Sequence, residues 1–110
     1  MSTTEPPSLP GPALLFCPAD RPDRYAKALA AADAVILDLE DGVGADGKDV
    51  ARAALVAADL DPARVIVRVN AAGTREHAAD IEALRGTGYR QVMLPKAEHR
   101  AQLGGLGGLG

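Results

Sequence analysis

Four short apolar runs punctuate this chain, and a segment with helical spacing lies between each neighbouring pair. The runs are Ala13–Cys17, Ala34–Leu39, Arg64–Asn70 and Gln91–Pro95, rich in branched side chains and bounded by turn formers. Runs of that kind fit strands covered on both faces. Between them, Tyr25, Ala28, Leu29 and Ala32 recur at i, i+3, i+4 and i+7, and Ala51, Ala54, Leu55 and Ala58 repeat the pattern after the Gly42–Gly47 turn. His77, Ile81 and Leu84 mark a third helix, with Thr74 as its N-cap and Gly86 and Gly88 ending it. Asp20 or Arg21 would cap the first helix, with Pro22 in its opening turn, where a missing N–H costs nothing. The order β-α-β-α-β-α-β predicts an α/β fold of parallel strands joined by right-handed crossovers.

A chain of 110 residues is expected to form one domain. Residues 13–103 hold every periodic segment. Residues 1–12 are rich in Ser, Thr and Pro and read as a flexible tail. Residues 104–110 continue a Leu-Gly-Gly repeat that no helix would tolerate, since each Gly costs about 1 kcal/mol there. That end reads as a truncation, with a flexible tether as the other reading. Charge excludes some functions. With 12 basic against 15 acidic side chains, the chain lacks the basic excess of a nucleic-acid binder. One cysteine excludes a disulfide framework and a Cys-rich zinc site. No run approaches the roughly 18 apolar residues of a membrane span, and the start lacks the pattern of a secretory signal. The expectation is a cytoplasmic protein with no nucleic-acid or membrane partner.

In parallel β/α folds, chemistry collects at the C-terminal ends of the strands. Charge gathers there in this sequence: Asp20, Arg21, Asp23 and Arg24 after the first strand, Asp38, Glu40 and Asp41 closing the second, Arg68 and Asn70 on the third, and Lys96, Glu98 and His99 after the fourth. Asp20 and Asp23 read most simply as helix-start residues. Arg21 and Arg24 would solvate that helix, although Arg24 is also placed to reach back to the strand ends. Glu40 and Asp41 form either an ordinary acidic turn or part of a site. Asp38 and Arg68 sit inside apolar runs, so each needs a partner if buried. Either they form a buried structural pair, or Arg68 carries its guanidinium to the open end of the sheet to bind an anion. The second is preferred, because the planar fork suits a carboxylate or phosphate. Arg68 and Asn70 are two apart, which places both on one face of an extended strand. Lys96 invites the same anion-binding reading as Arg68. His77 and His99 read as surface or helix residues, and Cys17 as a small core residue. No dinucleotide-binding or P-loop pattern is present.

Taken together, Leu15-Phe-Cys-Pro-Ala-Asp-Arg-Pro-Asp-Arg-Tyr25, Asp33-Ala-Val-Ile-Leu-Asp-Leu-Glu-Asp41, Val67-Arg-Val-Asn70 and Met93-Leu-Pro-Lys96 resemble the citrate lyase β-subunit-like family of the HpcH/HpaI aldolase group. The likeness runs from about Leu14 to Glu98. It implies the N-terminal half of a TIM (β/α)8 barrel, four parallel strands alternating with helices. It also implies a Mg²⁺-dependent carbon–carbon lyase that cleaves a hydroxyacyl-CoA of the citryl-CoA or malyl-CoA class to an acyl-CoA and a 2-oxo acid. Carried over by motif, Arg68, Arg21 and Lys96 would bind substrate. Glu40 and Asp41 would lie beside the metal waters as catalytic or metal-orienting groups, and Asp38 and Asn70 would be structural. The family's two metal carboxylates, a Glu and an Asp, belong to later strands, and no residue here replaces them. A homo-oligomer is expected, a trimer among the assemblies allowed. A complete barrel takes roughly 250 residues. The alternatives to a working lyase are therefore a catalytically inactive barrel remnant and a receiver-like signalling domain.

Overall fold

The computed structural model describes residues 13–95 and the backbone of 99–102. The elements run β1 (Leu14–Pro18), α1 (Tyr25–Ala31), β2 (Ala34–Asp38), α2 (Lys48–Ala57), β3 (Val65–Arg68), α3 (Arg75–Arg85), β4 (Gln91–Leu94) and β5 (His99–Gln102). The first seven follow the predicted order, with strand ends displaced by one or two residues. β5 corrects the expectation of four strands alone. Its His-Arg-Ala-Gln sequence holds no β-branched residue, and it forms by returning antiparallel along β4, with Arg100 opposite Met93. That pairing occupies a ladder which β4 would otherwise leave open.

The sheet order is β1-β2-β3-β4-β5, each strand beside its predecessor, and β1 to β4 are parallel. A receiver-like domain would reverse direction after its first strand, in the order 2-1-3-4-5. Here nothing reverses, so the four parallel strands step round one side only, as the wall of a (β/α) barrel does.

The pleat divides the side chains between two faces. Val35, Leu37, Val65, Val67 and Val92 join Tyr25 of α1, Ala51 and Leu55 of α2, and Ile81 and Leu84 of α3 in one buried cluster. All three helices therefore cover the same face. Ile36, Ile66 and Met93 form a second, smaller cluster. Fully burying a Val, Leu or Ile is worth about 1.5–3 kcal/mol, so the helix-covered face supplies most of the folding drive.

Polar side chains fix the connections. Arg64, just before β3, donates from Nη2 to the carbonyls of Leu29 (2.6 Å) and Ala32 (2.9 Å), and from Nε to that of Asp33 (3.0 Å). These bonds satisfy carbonyls that the end of α1 leaves unpaired. Thr74 caps α3 as predicted, accepting the His77 N–H at 3.1 Å. The start of α1 differs from expectation. Pro22–Arg24 form a 3-10 turn ahead of it, with Arg21 at the cap position but no side-chain capping bond. The loop before α3 turns at Gly73, whose φ of +88° few other residues adopt without strain.

Between α2 and α3 lies a buried ion network that the sequence reading had not singled out. Arg52 donates from Nη1 to Asp80 Oδ1 (2.7 Å) and from Nη2 to Asp49 Oδ1 (2.8 Å) and Glu76 Oε1 (2.9 Å). Asp80, wholly buried, spends its other oxygen on the backbone N–H and the side-chain amide of Asn70, both at 2.7 Å. The tails at 1–12 and 104–110 lie outside the described residues. No helix among the described residues is long and apolar enough to cross a membrane.

Candidate functional site

Asp38 and Arg68 are the last residues of β2 and β3 and stand opposite each other in register. The guanidinium grips the carboxylate with two parallel bonds, Nε to Oδ1 at 3.0 Å and Nη2 to Oδ2 at 2.7 Å. The same oxygens accept the backbone N–H of Glu40 (2.8 Å) and of Gly42 (2.9 Å). Asp38 is thus spent as an acceptor while it bends the chain after β2 into a tight turn. Burial alone would raise its carboxyl pKa. The bonds and charge of Arg68, with the two backbone donors, outweigh burial and hold it below the ordinary carboxylate value.

The two readings of Arg68 are not exclusive in this geometry. Its guanidinium is anchored on Asp38, yet Nη1 lies 3.8 Å from Glu40 Oε1, and the Arg68 side chain keeps 13% of its exposure and that of Glu40 23%. On another side, the ring of Phe16 lies with its centroid 5.0 Å from the guanidinium carbon, a cation–π contact. Phe16 is itself half exposed. The result is a cation of fixed orientation, bordered by a carboxylate and a ring, at the solvent rim of the sheet. Such a group stabilises a carboxylate, or an oxygen that gains negative charge, without first having to reorient.

Gly42 makes the turn feasible. A Cβ there would stand 2.8 Å from Asp38 Oδ2 and 3.3 Å from its Cβ and Cγ. The carboxylate cannot step aside, because Arg68 and two backbone donors hold it. Gly42→Ala is expected to cost about 1–3 kcal/mol through overpacking, read as a lower urea midpoint at unchanged m-value. Gly44→Ala, where nothing lies within 4 Å of the added carbon, is the control and should stay within about 0.5 kcal/mol of the parent.

The other predicted residues distribute differently. Asn70 does not share the face of Arg68. β3 ends at Arg68, so strand alternation no longer governs Asn70, whose amide turns to Asp80 and to the Leu39 carbonyl (3.1 Å). Asp41 is exposed on the turn. Arg21 is also exposed and pairs with Asp23 at 3.3 Å, and the structure does not bring it to Arg68. Arg24 is exposed as well. Lys96 lies outside the described residues. His77 Nδ1 sits 2.8 Å from the Asn70 carbonyl oxygen, a local contact at the start of α3. Cys17 is buried, and burial pushes its thiol above the usual value, away from nucleophilic chemistry.

Lys48, at the start of α2, went unremarked in the sequence, as did Arg52 and Asp80. Its ammonium donates to the carbonyls of Leu39 (2.8 Å), Glu40 (3.0 Å) and Val43 (3.1 Å). A signal existed for the ion network. Position 52 lies three before Leu55 and position 80 four before Leu84, so both charges fall on the buried stripes of their helices. Among the described residues, no group of three or more His, Cys, Asp or Glu side chains converges as metal ligands would.

Comparison with known proteins agrees with this architecture. The family model for HpcH/HpaI aldolase/citrate lyase matches residues 13–106. A citrate lyase subunit beta-like protein of Mycobacterium tuberculosis is 63% identical over 93 residues, covering 84% of this chain and 34% of that protein. An L-malyl-CoA/beta-methylmalyl-CoA lyase of Cereibacter sphaeroides is 40% identical over 99 residues, covering 83% and 31%. Among solved structures, CitE from Mycobacterium tuberculosis in complex with magnesium, acetoacetate and coenzyme A superposes with a TM-score of 0.77 at 65% identity, over 80% of this chain and 33% of that one. The Mycobacterium tuberculosis citrate lyase beta subunit with oxaloacetate and magnesium gives the same score and identity over 80% and 40%. The chain spans about a third of the length of the curated relatives it matches.

Proposed function

The chain belongs to the HpcH/HpaI aldolase/citrate lyase family, and from that premise we propose that it serves the cleavage of a hydroxyacyl-CoA of the citryl-CoA or malyl-CoA class to an acyl-CoA and a 2-oxo acid. The observation that carries this reading is the Arg68 guanidinium, set rigidly by Asp38 at the strand ends and facing Glu40. In such a cleavage the substrate hydroxyl gives up its proton as the carbon–carbon bond breaks. The electron pair of that bond passes to the departing thioester fragment as an enolate, which is then protonated to the acyl-CoA. The other fragment leaves as the 2-oxo acid. Arg68 would hold the carboxylate and oxygen of that fragment in place, which suits a bidentate planar cation. Glu40, beside it, would hold a water or take part in the proton transfers.

Solved relatives contain magnesium. The described residues do not themselves make up a magnesium site. Asp38 is engaged by Arg68 and two backbone donors, and no cluster of ligating side chains is present among them. This segment would therefore supply the substrate-binding side of the site, through Arg68 and Glu40.

The test uses a chimera in which this chain replaces the matching segment of the Mycobacterium tuberculosis relative, assayed beside the 110-residue chain alone. Magnesium-dependent release of acetyl-CoA from citryl-CoA or malyl-CoA by the chimera is the expected result. A folded chimera that turns over neither thioester would overturn the reading. Turnover by the chain alone would show that the metal is held within these 110 residues after all.

A further inference from the structure

We infer that Lys48 is a positioning residue for Glu40, acting through the backbone of the turn after β2. The inference rests on the role proposed above for Glu40.

The turn from Leu39 to Gly44 lies between the ladder of β2 and the start of α2, held in the main chain by Leu39 N–H to the Arg68 carbonyl (2.9 Å) and Val43 N–H to the Glu40 carbonyl (3.2 Å), and it carries the carboxylate that faces Arg68. Its N–H groups at Glu40 and Gly42 are taken by Asp38. Its carbonyls at Leu39, Glu40 and Val43 converge on one ammonium, at 2.8, 3.0 and 3.1 Å. An ammonium has three donors, so the match to three carbonyls is complete. The Leu39 carbonyl accepts a second bond from Asn70 Nδ2, which Asp80 holds in turn. Glu40 is therefore clasped at its N–H from the β2 side and at its C=O from the α2 side. That fixes the backbone from which its side chain reaches the guanidinium, at 3.8 Å.

The location of Lys48 points the same way. It is the first residue of α2. A cation at a helix N-terminus opposes the helix dipole. An isolated helix would gain from an acidic residue there, so the lysine sits at a position that serves the turn and disfavours the helix.

The experiment has two arms. In the 110-residue chain, Lys48→Met removes the donors and keeps the apolar stem. Amide hydrogen exchange at Glu40 and Gly42 should speed up by about tenfold or more, while the β3 amides of Ile66 and Val67 stay protected. Unchanged exchange at Glu40 and Gly42 in a folded variant would overturn the inference whatever the protein's activity. In the chimera, Lys48→Met should lower kcat by on the order of 10- to 100-fold, the scale set by small misplacements of a reacting group, with KM little changed. Because Lys48 acts through Glu40, the double variant Lys48→Met/Glu40→Gln should be no slower than Glu40→Gln alone. Additive losses would overturn the inference. Should Lys48→Met fail to fold, Lys48→Gln keeps two donors, and it should give intermediate exchange at Glu40 and Gly42; parent-like exchange there would count against the role. A parent chimera without turnover bears on the lyase proposal only, since the exchange arm stands apart from it.

Discussion

Asp80→Ala is expected to destabilise the fold by about 3–5 kcal/mol, the usual cost of removing one partner from a buried ion pair. The cost arises at both oxygens. Arg52 loses its shortest bond, at 2.7 Å, while its side chain keeps only 10% of its exposure. The backbone N–H and side-chain amide of Asn70 lose their acceptor in the same interior. Glu76 and Asp49 still neutralise Arg52 from the solvent side, which keeps the loss from being larger. A domain of this size has about 5–15 kcal/mol in hand, so the variant should lose a large share of its stability, seen as a large fall in urea midpoint by circular dichroism. Asp80→Asn should recover little, because one of its two positions then presents N–H groups to donors. A midpoint within about 1 kcal/mol of the parent would show that the network contributes no more than a surface pair.

Arg68→Ala is the second large effect, and it separates activity from stability. In the chimera, turnover should fall by roughly 10²–10³, or about 3–4 kcal/mol, the loss seen when a preorganised donor to developing charge is removed. Arg68→Lys should not restore it, since a single ammonium cannot reproduce the two parallel bonds to Asp38 and still face Glu40. The stability change carries its own pH signature. Asp38 has a folded pKa below its unfolded value, which is near 3.9. Its contribution is therefore fully present above that value and is lost as pH falls through the folded one. Without Arg68, burial of the carboxylate should push its pKa up instead. The parent and Arg68→Ala should accordingly differ most in stability near neutral pH and converge in acid. A gap that widened as the pH fell would contradict the pairing of Asp38 with Arg68.

The elements that stand on periodicity were legible in the sequence. Four apolar runs with helical segments between them gave β1 to β4 and α1 to α3, because little else competes for those residues; β1 departs from the expectation of cover on both faces, its Leu14, Leu15 and Phe16 remaining exposed. β5 was not legible, since its place depends on an open ladder along β4 and not on its own residues. Asp38 and Arg68 were visible as charges embedded in apolar runs, and the pairing between them follows once β2 and β3 lie in register. What they do together was not visible, because the two backbone donors to Asp38 belong to a turn whose shape the carboxylate itself imposes. Phe16 was read only as strand filling. Its partnership with Arg68 reaches across one intervening strand, β2, and leaves no trace in local spacing. Lys48, Arg52 and Asp80 were passed over for a common reason. A charge in a helix is usually solvated, and only its phase against the apolar stripe marks the exceptions.

One arginine immediately precedes β3 and another closes it, and they answer to different masters. Arg64 is bound entirely to main-chain oxygens at the close of α1, so its task is indifferent to any ligand. Arg68 looks out on the opposite pole, among groups that meet solvent. A protein wired in this manner has its foundation and its workbench on opposite ends of one ribbon. Substitutions at Phe16, Glu40 and Asp41 would change that solvent-facing end while the Arg64 anchorage is left alone, which is the kind of latitude on which variation within a single scaffold depends.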